Sequence, residues 1–186
     1  ENGYPIRLLN PGYEGNSSVK WLRRIEVSDQ PFMTREETSK YTEMVKGGKA
    51  RQFSLTMDAR SIITYPSYPN VVEKGWIELQ GIAWSGRGRI TKTEVSTDAG
   101  KTWVTANLQE PILPKAHTRF RHLFKWDGKE TIILSRAVDE TGYTQPDRKT
   151  LIKSRGVGSI PYHNNPITGW RVRAGGDVVY RVQEWG

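Results

Sequence analysis

Alternation of apolar and polar residues dominates the second half of the chain. "WIELQGIAW" sets Ile77, Leu79, Gly81 and Ala83 against Trp76, Glu78, Gln80, Ile82 and Trp84. That period of two turns one face of a strand into a core. "TRFRHLFKW" repeats the pattern, with Phe120, His122, Phe124 and Trp126 on one face. "RITKTEVSTDAGKTWVTANL" reads as a hairpin turning at "TDAGK", and "DGK" leads into the strand "ETIILSRAVDETG". "WRVRA" and "DVVYRVQEW" pair around "GGD". Residues 75–186 therefore read as an all-β sandwich, with turn signals at sandwich spacing and no helical periodicity.

The pattern weakens upstream. Residues 1–27 hold two apolar stretches, Ile6 to Leu9 and Val19 to Val27, around the turn cluster "NPGYEGNSS". They predict two short strands and a loop. Val19, Trp21, Leu22 and Ile25 read like a strand entering a core, with Lys20 set among them. Residues 28–74 read as a long connection. Within it "TREETSKYTEMV" predicts a helix, with Thr34 as N-cap, Glu37 three residues on, and Tyr41, Met44 and Val45 along one face up to "KGGK". "SIITYPSYPN" is strand-like, but Pro66 and Pro69 exclude a central strand.

Composition adds limits. A chain of 186 residues can bury a core without staples. No apolar run approaches the roughly 20 residues of a membrane helix. The net charge of +8 favours anionic partners: nucleic acid, an acidic protein or a small oxyanion. Cysteine is absent, which removes disulfides, thiolate nucleophiles and cysteine-ligated metal from this chain. The first residue is Glu1, and the opening residues already read like the middle of a domain. The expectation is a processed or truncated C-terminal portion of a longer protein.

Candidate chemistry is sparse. There is no G-x-S-x-G, and His117, His122 and His163 form no close pair in the sequence. His122, at strand spacing, is expected to be half-buried and structural, whereas His163, in the loop "PYHNNP", is more open to a function. "GRGR" at 86–89 lacks the strand–loop–helix context of a phosphate cradle, and its arginines are expected to flank a hairpin on a solvated face. Basic and aromatic residues interleave in "TRFRHLFKW" as on single-strand stacking platforms, but the same alternation describes any half-buried strand. The strand reading is preferred, and no nucleic-acid partner is expected. Arg7 and Lys20 lie inside apolar strands, and Arg155 lies in what reads as a flexible loop, "KSRGVGS". Fixed cations on rigid elements suit a phosphate or another oxyanion; each alone also fits an edge-strand charge.

"NGYPIRLLNPGYEGNSSVKWLRRI" resembles the last segment of the molybdopterin-binding domain of the sulfite oxidase family. "IAWSGRGRITKTEVSTDAGKTWVTANLQEP" and "SRAVDETGYTQP" resemble the immunoglobulin-like dimerisation domain that follows it. Within the family, "MTREETSKYTEM", "LPKAHTRFRHLFKWDG" and "RAVDETGYTQP" are most similar to the molybdenum subunit of the sulfane dehydrogenase of the thiosulfate-oxidising (Sox) system. The resemblance implies a mainly β chain. Residues 1–27 would be the C-terminal strip of a molybdopterin-binding domain, 28–74 a connection, and 75–186 an immunoglobulin-like β-sandwich that dimerises. It implies a molybdopterin cofactor contacted by Arg7, Ser18, Val19 and Lys20. Asn2 stands where the family usually has a histidine. Arg155 would face a substrate oxyanion. The molybdenum-ligating cysteine would lie outside this chain, which alone would be inactive. Further implied are a homodimer, a dihaem c-type cytochrome as electron acceptor, a sulfur-carrier protein or small sulfur oxyanion as substrate, and a periplasmic location. The alternative is a non-catalytic sandwich that only dimerises or docks.

Overall fold

In a computed structural model, residues 2–45, 47–51, 55–159 and 163–181 are described. After a 3-10 turn at Gly15–Ser17, the first of two (the other, Val157–Ser159, follows the second helix), come a short helix α1 (Arg35–Ser39) and a hairpin of β1 (Glu43–Val45) and β2 (Lys49–Arg51). There follow β3 (Arg60–Tyr65), β4 (Gly75–Trp84), β5 (Ile90–Ser96), β6 (Val104–Thr105), β7 (Asn107–Gln109), β8 (Thr118–Trp126) and β9 (Thr131–Asp139). Helix α2 (Arg148–Arg155) and the hairpin of β10 (Gly169–Val172) and β11 (Val178–Tyr180) close the chain. One antiparallel sheet runs β3-β4-β8-β7 and the other β11-β10-β9-β5-β6.

The expected alternation holds. Along β4, Ile77, Leu79, Gly81 and Ala83 are buried; along β8, Phe120 and Trp126 are. They meet Val95, Ile133, Ala137, Val172 and Val178 from the other sheet in a single core. Each large apolar side chain so buried contributes about 1.5–3 kcal/mol. Gly81 lies opposite Phe120 in the β4–β8 register. A Cβ there would come within 2.1 Å of Phe120 Cζ. The missing side chain is therefore the space that the phenyl ring fills. The "TDAGK" turn forms as expected: Ala99 and Gly100 take positive φ, and Asp98 accepts hydrogen bonds from Thr102 N–H and O–H. Those bonds hold the Asp98 carboxyl at about 2. His122 is half-buried, and burial pulls its pKa down.

Several expectations are corrected. The helix over 34–45 shortens to α1, Thr34 makes no side-chain cap, and Glu43–Val45 is a strand. Gly47 and Gly48, both at positive φ, turn the chain into a hairpin there, which ends any helix. Conversely, a helix stands where none was expected. Asp147 caps α2 by accepting from Thr150 N–H at 2.7 Å, Leu151 is its buried anchor, and Gly156 at φ +83° ends it. Residues 60–65, expected in the connection, form an edge strand paired with β4, as the two following prolines require. "GRGR" joins β4 to β5 across the two sheets and is no hairpin within one. The last strand expected beyond Arg181 lies outside the described residues.

Residues 2–27 form no regular strand. They do pair locally, Leu8 N–H donating to Val19 C=O (2.9 Å) and Leu22 N–H to Ile6 C=O (3.1 Å). Trp21 and Ile25 do not pack behind this ladder: they are 61% and 70% exposed, and only Leu22 is half-buried. The described residues supply no second layer for that face.

Candidate functional site

Two clusters carry chemistry. The first is the cationic end of the N-terminal strip. Its two backbone hydrogen bonds bring Arg7 level with Lys20. Gly3, at φ +98°, lies between them: a Cβ there would sit 3.2 Å from Arg7 Cβ and 3.3 Å from Lys20 Cβ. Asn2 precedes it, also at positive φ. Ser18 Oγ accepts from Asn10 N–H at 3.3 Å and keeps its own proton to donate. Asn2, Arg7 and the run Ser18, Val19 and Lys20 are thus brought into one neighbourhood by this local pairing. Both cations are exposed, and among the described residues neither has a carboxylate partner; Lys20 Nζ lies 5.9 Å from the Trp21 ring. An unpaired guanidinium beside an unpaired ammonium, with a glycine allowing close approach, is a donor set for a phosphate. It fits the phosphate end of a pterin cofactor and has no soft ligand for the metal.

The second cluster is buried and centred on Asp58, whose side chain is 0% exposed. Its Oδ1 accepts from Arg87 Nη2 at 2.5 Å, and its Oδ2 from Arg155 Nη2 and from His163 Nε2, both at 2.6 Å. Arg155 also donates to Glu43 Oε1 at 2.7 Å, and Arg51 reaches Glu43 Oε2 at 3.4 Å. His163 Nδ1 lies 3.1 Å from Glu14 Oε1. The guanidinium of Arg87 stacks 5.1 Å from the Tyr143 ring. Burial alone would raise the Asp58 pKa, but the His163 hydrogen bond and the charges of His163, Arg155 and Arg87 outweigh it and hold the carboxyl at about 2. Burial pulls His163 down, yet its hydrogen bonds to Asp58 and Glu14 win and raise it. Both imidazole nitrogens thus face carboxylates, and when protonated the ring donates from both and clasps the N-terminal strip to the sandwich. Burial opposes charge on Arg155 too, but Glu43 and Asp58 raise its pKa.

Arg155 therefore sits at the end of α2, not in a flexible loop, with its guanidinium held between two carboxylates. Arg87 and Arg89 are both exposed, as expected of a solvated face, but Arg87 is paired with Asp58. His163, expected in an open loop, is 5% exposed. Asp58, Glu14 and Glu43 carried no signal in the sequence. Asp58 is 97 residues from Arg155 and 105 from His163, and no spacing rule connects them. A cavity of about 420 Å³ opens beside the cluster, between Glu14 and Asn16 of the strip and Asp58, Arg60 and Trp84 of the sandwich. Among the described residues there is no group of three or more metal-ligating side chains, and no helix is long and apolar enough to cross a membrane.

Two family models match this chain. Residues 51–169 match the model of the Mo-co oxidoreductase dimerisation domain, and residues 1–36 match that of the oxidoreductase molybdopterin binding domain. Sulfite oxidase of Gallus gallus is 32% identical over 181 residues, covering 88% of this chain and 39% of the relative. NADH nitrate reductase 1 of Phaseolus vulgaris is 27% identical over 175 residues, covering 80% of this chain and 20% of that protein. The crystal structure of the sulfane dehydrogenase SoxCD from Paracoccus pantotrophus superposes with a TM-score of 0.91 at 49% identity, covering 99% of this chain and 48% of that one. The chain thus spans less than half the length of these relatives.

Proposed function

The chain belongs to the Mo-co oxidoreductase dimerisation-domain family, and from that premise we propose that it is the pterin-anchoring strip and dimerisation sandwich of a molybdenum-dependent sulfur-compound dehydrogenase. The carrying observation is the meeting of Arg7 and Lys20 at Gly3, inside the segment that matches a molybdopterin-binding domain. When bound, a molybdopterin centre supplies two-electron oxygen-atom transfer to sulfur at its metal. The residues of this chain act at its other end. Arg7 and Lys20 hold the phosphate, Ser18 donates its hydroxyl, and Asn2 and Val19 line the approach that Gly3 keeps open. The chain has no cysteine, so the thiolate for the metal is not among its residues, and the chain alone is inactive.

The sulfane dehydrogenase type is favoured over sulfite oxidation by the 49% identity to SoxCD against 32% to the sulfite oxidase. With that type go a homodimer through the immunoglobulin-like sandwich, a dihaem c-type cytochrome as acceptor, a sulfur-carrier protein or small sulfur oxyanion as substrate, and the periplasm. Arg155 would meet a substrate oxyanion by exchanging Glu43 or Asp58 for it; while both are bound, it ties the β1–β2 hairpin and α2 to the sandwich. The test is cofactor content. In the holoenzyme, Arg7→Gln with Lys20→Gln lowers molybdenum and pterin per protomer at limiting cofactor, the loss of two charge-assisted contacts weakening binding by roughly a hundredfold or more. Full occupancy in that double variant overturns the anchoring role.

A further inference from the structure

We infer that the cavity between the strip and the sandwich is a binding site for a small oxyanion, received by Arg60 against the indole of Trp84. This site lies outside the Arg7–Lys20 cluster, and the inference does not rest on the cofactor reading. Arg60 and Trp84 are direct cross-strand partners in the β3–β4 register, and the guanidinium carbon lies 5.8 Å from the indole centroid. Both line the cavity. Arg60 Nε is buried without a hydrogen-bond acceptor among the described residues, and no carboxylate there pairs with its guanidinium. Burial pulls its pKa down, outweighing the opposing effect of Tyr180.

Neighbouring carboxylates cannot serve it. Asp58 is taken by Arg87, Arg155 and His163, Glu14 by His163, and Glu43 by Arg155 and Arg51. Those three carboxylates are shared among Arg51, Arg87, Arg155 and His163, and among the described residues none pairs with Arg60. Arg60 is half-buried with its Nε shut off from water, and an anion in the cavity offsets the cost of that desolvation. Asn165 points the same way. It is 4% exposed, lines the cavity, and its Oδ1 has no donor among the described residues, while its Nδ2 donates to Tyr143 Oη at 3.1 Å. The site so offers a charged donor, an aromatic wall and an amide acceptor. A sulfate-like oxyanion meets the guanidinium fork with paired oxygens, which chloride lacks, and reaches the Asn165 acceptor only through a donating water.

The experiment is a titration of the purified protein with sodium sulfate at constant ionic strength, sodium chloride making up the balance. The readout is the Arg60 Nε–H resonance. A saturable shift with sulfate and none with chloride is expected. Arg60→Gln weakens binding roughly ten- to hundredfold, read from the backbone resonances of β3 and β4. Asn165→Asp, which sets a carboxylate in the cavity and leaves Arg60 in place, abolishes the shift. Should Arg60→Gln fail to fold, the parent and Asn165→Asp titrations decide alone. In the Arg7→Gln, Lys20→Gln protein the Arg60 shift persists, so loss of cofactor anchoring and loss of this site are read separately. A linear response in the parent, an equal response to chloride, or unchanged binding in Asn165→Asp overturns the inference.

Discussion

Replacing Asp58 by Asn is the sharpest perturbation of this molecule. The side chain keeps its shape and loses its charge, while three cationic groups remain around it: Arg87 at 2.5 Å, and Arg155 and His163 at 2.6 Å. Two numbers bound the effect. A carboxyl held at about 2 instead of 3.8 contributes about 2 kcal/mol at neutral pH. Its folded pKa is depressed, so this contribution is complete above the ordinary carboxyl range and is lost as pH falls through about 2. Removing one partner from a buried ion cluster costs more, about 3–5 kcal/mol, because the buried Arg155 and His163 each lose a carboxylate, while the exposed Arg87 adds little. At neutral pH the loss should lie nearer the second figure, a fall in Tm of roughly 6–20 °C for a chain of this size. Thermal and urea unfolding followed by circular dichroism measure it. Adding His163→Gln should restore part of the loss, because one of the stranded cations goes with it. An Asp58→Asn protein within about 0.5 kcal/mol of the parent would show that the cluster is solvated enough to carry no weight, and the reasoning would fail.

Three further outcomes follow from the same packing. The His163 clasp has a raised folded pKa, so its stabilisation is full below about 6.5 and fades as pH rises through that raised value; the urea midpoint between pH 5 and 9 should show this slope in the parent and lose it in His163→Gln. Gly81→Ala drives a methyl into Phe120 and the Ile62 carbonyl, and should cost about 1–3 kcal/mol by overpacking; an unchanged unfolding midpoint would refute it. Gly86→Ala places a Cβ 1.8 Å from the Gly12 carbonyl oxygen, backbone against backbone; hydrogen exchange at Met57 N–H, which donates to Gly12 C=O at 3.0 Å, should accelerate while β4 and β8 stay protected.

Local pattern made the sandwich legible. Burial along β4 and β8 follows the residue alternation position by position, because a strand has one choice of face and a core accepts only apolar atoms on it. The "TDAGK" turn was equally readable, since Asp98 and Gly100 act within five residues. Short elements were not. "TEMV" and "KSRG" carry mixed signals, and tertiary partners decided both: Arg155 binds Glu43 and so holds a strand against the end of a helix that Leu151 anchors.

The sites divide along the same line. Arg7 and Lys20 stood out as cations in apolar stretches, and backbone pairing over a dozen residues suffices to bring them together. The Asp58 cluster was invisible, as were the unpaired Arg60 and Asn165. The contacts of the cluster span from 29 residues (Asp58–Arg87) to 149 (Glu14–His163), apart from the local Glu43–Arg51 pair, and nothing in a linear pattern reports which charges meet. The sequence alone thus determined which faces are apolar, where the tight turns fall, and that a cationic strip precedes a β-sandwich. Only the tertiary structure decided which carboxylate neutralises which cation. Charge compensation is a property of distance and burial, and the chain sets both only when its two sheets, its strip and its last helix close on one another.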